Sequence, residues 1–248
     1  MYLLTIPFEP ILFGIKVNVH LILEYLAFFI AFRYYVFLRK SSSDHITKSN
    51  RLSIILGAII GAYFGSRLMG YLENPVSLNA QNIIQFLNSK TIMGGLFGGL
   101  IGVEIAKKII GEKQSSGDLF TFPIIVGIII GRIGCFLTGI NEFTYGEETS
   151  FFTGMDLGDG LMRHPIALYE ILFLTTLFIF FKSVNFYKKE SGLLFKAFML
   201  SYFGFRFLIE FIKPNVFVVG GLSSIQWLCV VCWIYYSSTI IKLIKNAY

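Results

Sequence analysis

Charge is scarce in this chain: only 15% of its 248 residues are Asp, Glu, Lys or Arg. Soluble domains carry about 25%, so there is too little charge here to cover a globular surface, and a water-soluble fold is excluded. Cysteine is scarcer still: Cys135, Cys229 and Cys232 are the three in the chain, and all lie in apolar runs. Cys229-Val-Val-Cys232 spaces two thiols one helical turn apart, but no Cys/His cluster joins them. Neither a metal nor an organic cofactor is implied, and the thiols read as small packing residues of a membrane helix. Residues 1–16 lack a basic n-region and a small-residue cleavage site, so no cleavable signal peptide is expected. No repeat, low-complexity tract or second domain is evident, which makes residues 1–248 one transmembrane domain.

Apolar residues are abundant instead, at 55% hydrophobic and 17% aromatic. Runs near the twenty residues that cross a hydrocarbon core recur at 18–38, 52–72, 92–110, 119–138, 165–182, 193–213 and 222–244. Backbone in lipid must satisfy its own hydrogen bonds, so each run is expected to be helical. The fold class is all-α, a polytopic membrane protein of about seven transmembrane helices.

Lys and Arg orient it. The first loop carries Arg33, Arg39, Lys40, Lys48 and Arg51, and the third Lys107, Lys108 and Lys113. The fifth has Lys182, Lys188, Lys189 and Lys196, and the tail has Lys242 and Lys245. Loops between these are poor in basic residues, which places the N-terminus outside and the C-terminus inside. The net charge of +6 is thus spent on topology, and no nucleic-acid partner is expected. An outside-facing loop at 139–163 is acidic, with Glu142, Glu147, Glu148, Asp156 and Asp159 against Arg163. A loop of that length is a functional candidate. A shorter outside stretch, 73–90, holds an apolar run at 82–87 that reads as an interfacial segment.

Ionisable residues inside membrane spans are costly, and each is a functional hypothesis. Arg67, Arg132 and Arg206 lie on the second, fourth and sixth spans, roughly 10 Å below the outer surface. Three cations at one depth repel unless anions join them. Glu210 stands one turn beyond Arg206, an i,i+4 pair. His164 and Glu170 enter at the outer end of the fifth span, and His20 and Glu24 at that of the first. An anionic ligand such as a phospholipid phosphate suits the surplus, since a guanidinium grips phosphate bidentately. The bland readings are snorkelling near the interface, or structural ion pairs with Glu24, Glu170 and Glu210. Glu104, beside Lys107 and Lys108, reads as a snorkelling acid or as the partner in an interhelical hydrogen bond. The glycines of Gly94-Gly95-Leu96-Phe97-Gly98-Gly99-Leu100-Ile101-Gly102 recur at four-residue spacing, which favours close helix packing over room for an acyl chain.

Taken in order, these segments resemble the prolipoprotein diacylglyceryl transferase family along nearly the whole chain. Gly65-Ser66-Arg67-Leu68 is similar to its Gly-x-Arg turn, and Gly98-Gly99-Leu100-Ile101-Gly102 to its Gly-Gly-Leu-Ile-Gly stretch. Gly131-Arg132-Ile133-Gly134-Cys135-Phe136, with Gly139 and Gly146, resembles its Gly-Arg-x-Gly-Asn-Phe signature. His164-Pro165 with Leu168-Tyr169-Glu170 matches His-Pro-x-x-Leu-Tyr-Glu, and Arg206 with Glu210-Phe211 matches Arg-x-x-x-Glu-Phe. The chain departs at two places: Phe97 stands where the family commonly has histidine, and Cys135 replaces the signature asparagine. Tyr25 is only a nearby candidate for a functional tyrosine on the first span.

The resemblance implies a bacterial cytoplasmic (inner) membrane enzyme. It would move the diacylglyceryl group of phosphatidylglycerol onto the lipobox cysteine thiol of a prolipoprotein, releasing glycerol 1-phosphate. By resemblance Arg132 and Arg206 hold the phosphate, Glu210 orients Arg206, and His164 with Glu170 supports the outer end of the site. Those four catalytic candidates (Arg132, Arg206, Glu210 and His164) are joined by substrate-binding candidates Arg67, Gly98, Gly99, Gly134, Tyr169 and Glu170. With Phe97 in place of histidine, the base is unassigned. The alternative is a relative without catalysis, or with altered substrate, that binds anionic phospholipid. A transporter ranks last, because transport sites sit near the midplane between repeats.

Overall fold

The computed structural model describes residues 6–42, 46–73, 89–184, 190–215 and 218–245. Within them the expected runs form helices whose ends follow local chemistry. The first, α1 (Val19–Ser41), begins where the Asn18 side chain accepts the Leu21 N–H at 2.9 Å. It is followed by α2 (Lys48–Glu73) and by α3 (Ile92–Ile110), which is capped by Thr91 accepting from Gly94 N–H at 3.1 Å. Next come α4 (Asp118–Thr138) and α5 (Ile166–Ser183), then α6 (Leu193–Ile209). The Asp118 carboxylate accepts from the N–H groups of Gly192 (2.6 Å) and Phe195 (3.0 Å), holding the start of α6 to that of α4. Among the described residues three short antiparallel hairpins sit outside the helices: Ile11–Leu12 with Ile15–Lys16, Met155–Asp156 with Met162–Arg163, and Val218–Val219 with Leu222–Ser223.

Two of the expected spans differ. The sixth, expected to reach 213, leaves α-helical geometry at Ile209 and passes through a 3-10 turn, Glu210–Ile212. Pro214 lies just beyond, where no helix can continue past it. The seventh, expected over 222–244, is divided into α7 (Ser224–Tyr235) and α8 (Ser237–Lys245). The Tyr236 N–H bonds back to the carbonyls of Cys232 and Ile234. Ser237, Ser238 and Thr239 follow, residues whose hydroxyls compete for backbone groups. Among the described residues four helices are long and apolar enough to cross a membrane: α1, α2, α4 with its 3-10 extension to Asn141, and α5. By the same standard α3 carries too many charges (Glu104, Lys107, Lys108), while α6 and α7 are short. The apolar run at 82–87 lies outside the described residues, as do Lys188 and Lys189.

The helices group into two compact units. Unit 1 is Met1–Ser43, Ser116–Phe198 and Phe211–Pro214; unit 2 is Asp44–Ser115, Met199–Glu210 and Asn215–Tyr248. In unit 1, α4 packs against both α1 and α5. Tyr35 of α1 stacks on Phe120 of α4 at 4.6 Å, and Phe122 of α4 meets Phe178 of α5 edge-on at 5.1 Å. Some 44% of the apolar window of α4 is buried, against 11% for α1, so α4 is the core element and α1 turns Phe28, Phe29 and Phe32 outward as a lipid-facing side would. In unit 2, α2 and α3 interlock through glycine. A methyl group added to Gly61 would lie 2.2 Å from the Gly98 carbonyl oxygen, and one on Gly98 would lie 2.3 Å from that of Gly61. Gly65 with Gly94, and Gly57 with Gly102, repeat the contact one turn to either side. Only small residues allow backbones this close.

Candidate active site

In unit 1 the geometry starts from α4, which places Arg132 and Cys135 on one face, three residues apart. Arg132 is nearly buried, and its Nε lies 2.8 Å from Glu170 Oε1 of α5, a carboxylate with no exposure. A buried charge is tolerable only when paired, and this contact sets the plane of the guanidinium. Its Nη1 points to the Cys135 sulfur at 3.7 Å. On the other side of that sulfur stands the His20 ring from the first turn of α1, with Nε2 at 3.6 Å. The second ring nitrogen, Nδ1, is 3.0 Å from Glu142 Oε1 in the loop after α4. Gly134 makes room for this arrangement: a methyl group there would sit 3.0 Å from His20 Cδ2. A narrow recess opens beside the thiol, lined by Cys135, Thr144, Tyr145, Leu157, Pro165 and Ile166.

The loop expected at 139–163 is built on the same unit. Gly146 N–H donates to the His164 carbonyl at 2.9 Å, and His164 N–H donates to the Glu147 carbonyl at 3.1 Å. This laces the loop to the entry of α5. His164 Nδ1 is 3.0 Å from the Tyr169 hydroxyl, which also bonds the Thr153 hydroxyl. His164 and Tyr169 therefore form one hydrogen-bonded group with Thr153. Arg163 bonds Asp159 at 2.7 Å and lies over the Tyr145 ring at 5.2 Å. That bond holds the exposed Asp159 carboxyl below the usual aspartate range.

In unit 2 the expected i,i+4 pair is present: Arg206 Nη2 lies 2.5 Å from Glu210 Oε1, with Glu210 fully buried in the 3-10 turn. Glu210 is held in turn. Its Oε2 accepts from the Ser223 hydroxyl at 3.4 Å, and its carbonyl accepts from Asn215 Nδ2 at 2.7 Å. Ser223 and Gln226 form a reciprocal cap on α7. Arg67 points to the Ser89 carbonyl at 2.9 Å and lies 5.4 Å from the Tyr63 ring centre. Gly98 faces the α2 backbone, while a methyl group added to Gly99 would sit at ordinary contact distance, 3.5 Å, from the Ala58 carbonyl oxygen and Ala62 Cβ. Phe97 rests in an aromatic group with Phe203 and Tyr235. Glu104 pairs with Lys107 at 3.6 Å. Among the described residues no three His, Cys, Asp or Glu side chains converge as a metal ion requires.

The transferable chemistry is thus two buried arginine–glutamate pairs, Arg132–Glu170 in unit 1 and Arg206–Glu210 in unit 2, and in unit 1 a thiol flanked by an imidazole and a guanidinium. The family model for prolipoprotein diacylglyceryl transferase matches residues 10–242. The chain belongs to that family. Its relatives include proteins named phosphatidylglycerol–prolipoprotein diacylglyceryl transferase from several bacteria. One from Campylobacter hominis is 31% identical, over 97% of this chain and 92% of its own length. One from Wolbachia pipientis is 32% identical over 78% of this chain and 77% of its own, and one from Nitratidesulfovibrio vulgaris 34% over 72% and 68%. This member of the diacylglyceryl transferase family is accordingly a membrane transferase of lipoprotein biosynthesis.

Of the expected residues, Arg132 meets Glu170, Arg206 meets Glu210, and His164 meets Tyr169. His20 and Glu142 were not singled out by spacing as a site. Their one sequence signal was a histidine at the outer end of the first span and an acid at the start of the outside loop.

Proposed function

We propose that this chain transfers the diacylglyceryl group of phosphatidylglycerol to the lipobox cysteine thiol of a prolipoprotein, releasing glycerol 1-phosphate. The observation that carries the reading is the pair of buried arginines, each braced by a fully buried glutamate. As the glyceryl C–O bond breaks, negative charge grows on the phosphate, and pre-placed guanidiniums stabilise it without reorganisation. Arg132 and Arg206 each serve that charge, with Glu170 and Glu210 fixing their planes. His164 and Tyr169, tied to Thr153, order the loop that receives substrate. Arg67 contributes further positive charge, Gly98 and Gly99 act by letting α2 and α3 close, and Gly134 admits the His20 ring. Seven membrane crossings in the bacterial inner membrane, with the N-terminus outside and the C-terminus inside, accompany this reading; the alternation of basic loops supports it.

The test is direct. Purified protein given phosphatidylglycerol and a lipobox peptide should yield a thioether-linked lipid peptide and glycerol phosphate. Lipid binding with no peptide turnover would favour the non-catalytic alternative, to which Phe97 at the family's histidine position lends support.

A further inference from the structure

Building on that reading, we propose that Glu142, His20 and Cys135 form a thiol-activating relay, and that His20 is the base that the substitution of Phe97 left unassigned. The three groups stand in line: carboxylate to Nδ1 at 3.0 Å, then Nε2 to sulfur at 3.6 Å. This is the order of orienter, base and thiol found in nucleophile activation generally, where the base takes a proton and the third group holds its ring. Arg132 approaches the same sulfur from the other side at 3.7 Å, so negative charge on it is opposed by two cationic partners. Cys135 also lines the narrow recess with Thr144 and Tyr145. Cys229 and Cys232, by contrast, are fully buried in α7, with no imidazole bonded to either sulfur among the described residues.

The step balances. The acceptor thiol gives its proton to the Cys135 sulfur as the Cys135 proton moves to His20 Nε2, and Glu142 offsets the imidazolium formed. The acceptor sulfur then bonds the glyceryl carbon while the C–O bond breaks and its electron pair leaves on the phosphate oxygen. The imidazolium proton departs with the phosphate product or to water, and Cys135 ends as it began. His20 is the catalytic base in this scheme and Glu142 a positioning residue. The charged groups around the ring are Glu142 from the loop, Arg132 of α4 with its partner Glu170 of α5, and Glu24 one turn further along α1. In the hairpin leading into α1, Glu9 and Lys16 are paired with each other at 2.6 Å.

The experiment uses the full chain in phosphatidylglycerol nanodiscs with two readouts. The first is labelling by methyl methanethiosulfonate, a compact electrophile, with the modified cysteines identified by peptide mass spectrometry. Cys135 should react at least about tenfold faster than Cys229 and Cys232, and His20→Gln should remove that advantage. The second is transfer to a lipobox peptide across pH. His20→Gln should lower kcat about 100-fold with little change in KM, and abolish the acidic limb of the pH profile. Glu142→Gln, at a side chain 40% exposed and outside the helices, should lower kcat about tenfold and displace that limb while the fold is undisturbed. His20→Gln with wild-type labelling and an unchanged pH profile overturns the proposal, as does Glu142→Gln with an unaltered profile. A wild-type protein that transfers nothing defeats the transferase reading alone; labelling then decides the relay, and slow or His20-independent labelling of Cys135 overturns it.

Discussion

The two units solve one problem in different ways. Each buries an arginine and compensates it with a fully buried glutamate. In unit 2 the partner of Arg206 is Glu210, one turn along the same helix end, supported by Ser223 and Asn215. In unit 1 the partner of Arg132 is Glu170 on a different helix, and the guanidinium also reaches a sulfur engaged by His20. The local pair depends on helix periodicity; the distant one depends on α4 and α5 packing correctly. A pair between helices is therefore both a functional group and a fastening of the unit, whereas a pair within one helix end is mainly a shaped charge.

The largest break in this comparison should come from the cations. Arg132→Ala and Arg206→Ala should each lower lipobox-peptide turnover on the order of 10²–10³-fold, measured as kcat. Arg→Lys at either position should restore only part of it, because lysine keeps the charge but lacks the planar fork. Full turnover in either alanine variant would remove that arginine from the phosphate role.

Next come the carboxylates. Removing one partner of a buried pair costs about 3–5 kcal/mol. Glu170→Ala should fall at the upper end of that range and Glu210→Ala at the lower, read by thermal unfolding in detergent. Arg132→Leu combined with Glu170→Leu should recover much of the stability and none of the activity. Equal losses for Glu170→Ala and Glu210→Ala would erase the distinction between a fastening pair and a local one.

A smaller effect tests the scaffold of unit 2. Gly61→Ala or Gly98→Ala overpacks the α2–α3 contact and should cost about 1–3 kcal/mol, while Gly99→Ala, with ordinary space around it, should cost less. The same thermal measurement ranks the three.

The smallest concerns the loop of unit 1. Asp159 is held below the usual aspartate range by Arg163. Its folded-state pKa is therefore lower than its unfolded one, so its contribution is complete above the unfolded value of about 3.9 and is lost as pH falls through the lowered folded value. Hydrogen exchange across 155–163 should rise over that window in the wild type, and should show no such step in Asp159→Asn.

Much of this was readable in advance, for reasons visible in particular residues. Apolar runs marked the positions of the helices, because a chain in lipid has few ways to satisfy its backbone. The i,i+4 spacing of Arg206 and Glu210 announced their pairing, and glycine at four-residue spacing announced a close helix contact, though not that α2 would be the partner. The interruption at Tyr236 was hidden, since the apolar run continues through it and the break depends on how one turn closes. The Glu142–His20–Cys135 line was hidden for a different reason. Its members come from α1, α4 and the loop after α4, and no spacing along the chain relates them.

The amino-acid sequence by itself determined that this protein is helical and built for lipid, and which residues bear charge where charge is costly. Those properties follow from composition and local periodicity, which act over a few residues. Only the tertiary structure decided that Arg132 answers to Glu170, that Gly134 yields space to an imidazole, and that Cys135 lies between an imidazole and a guanidinium. Such relations are set by helix packing, where side chains far apart in the chain meet at distances of a few ångströms.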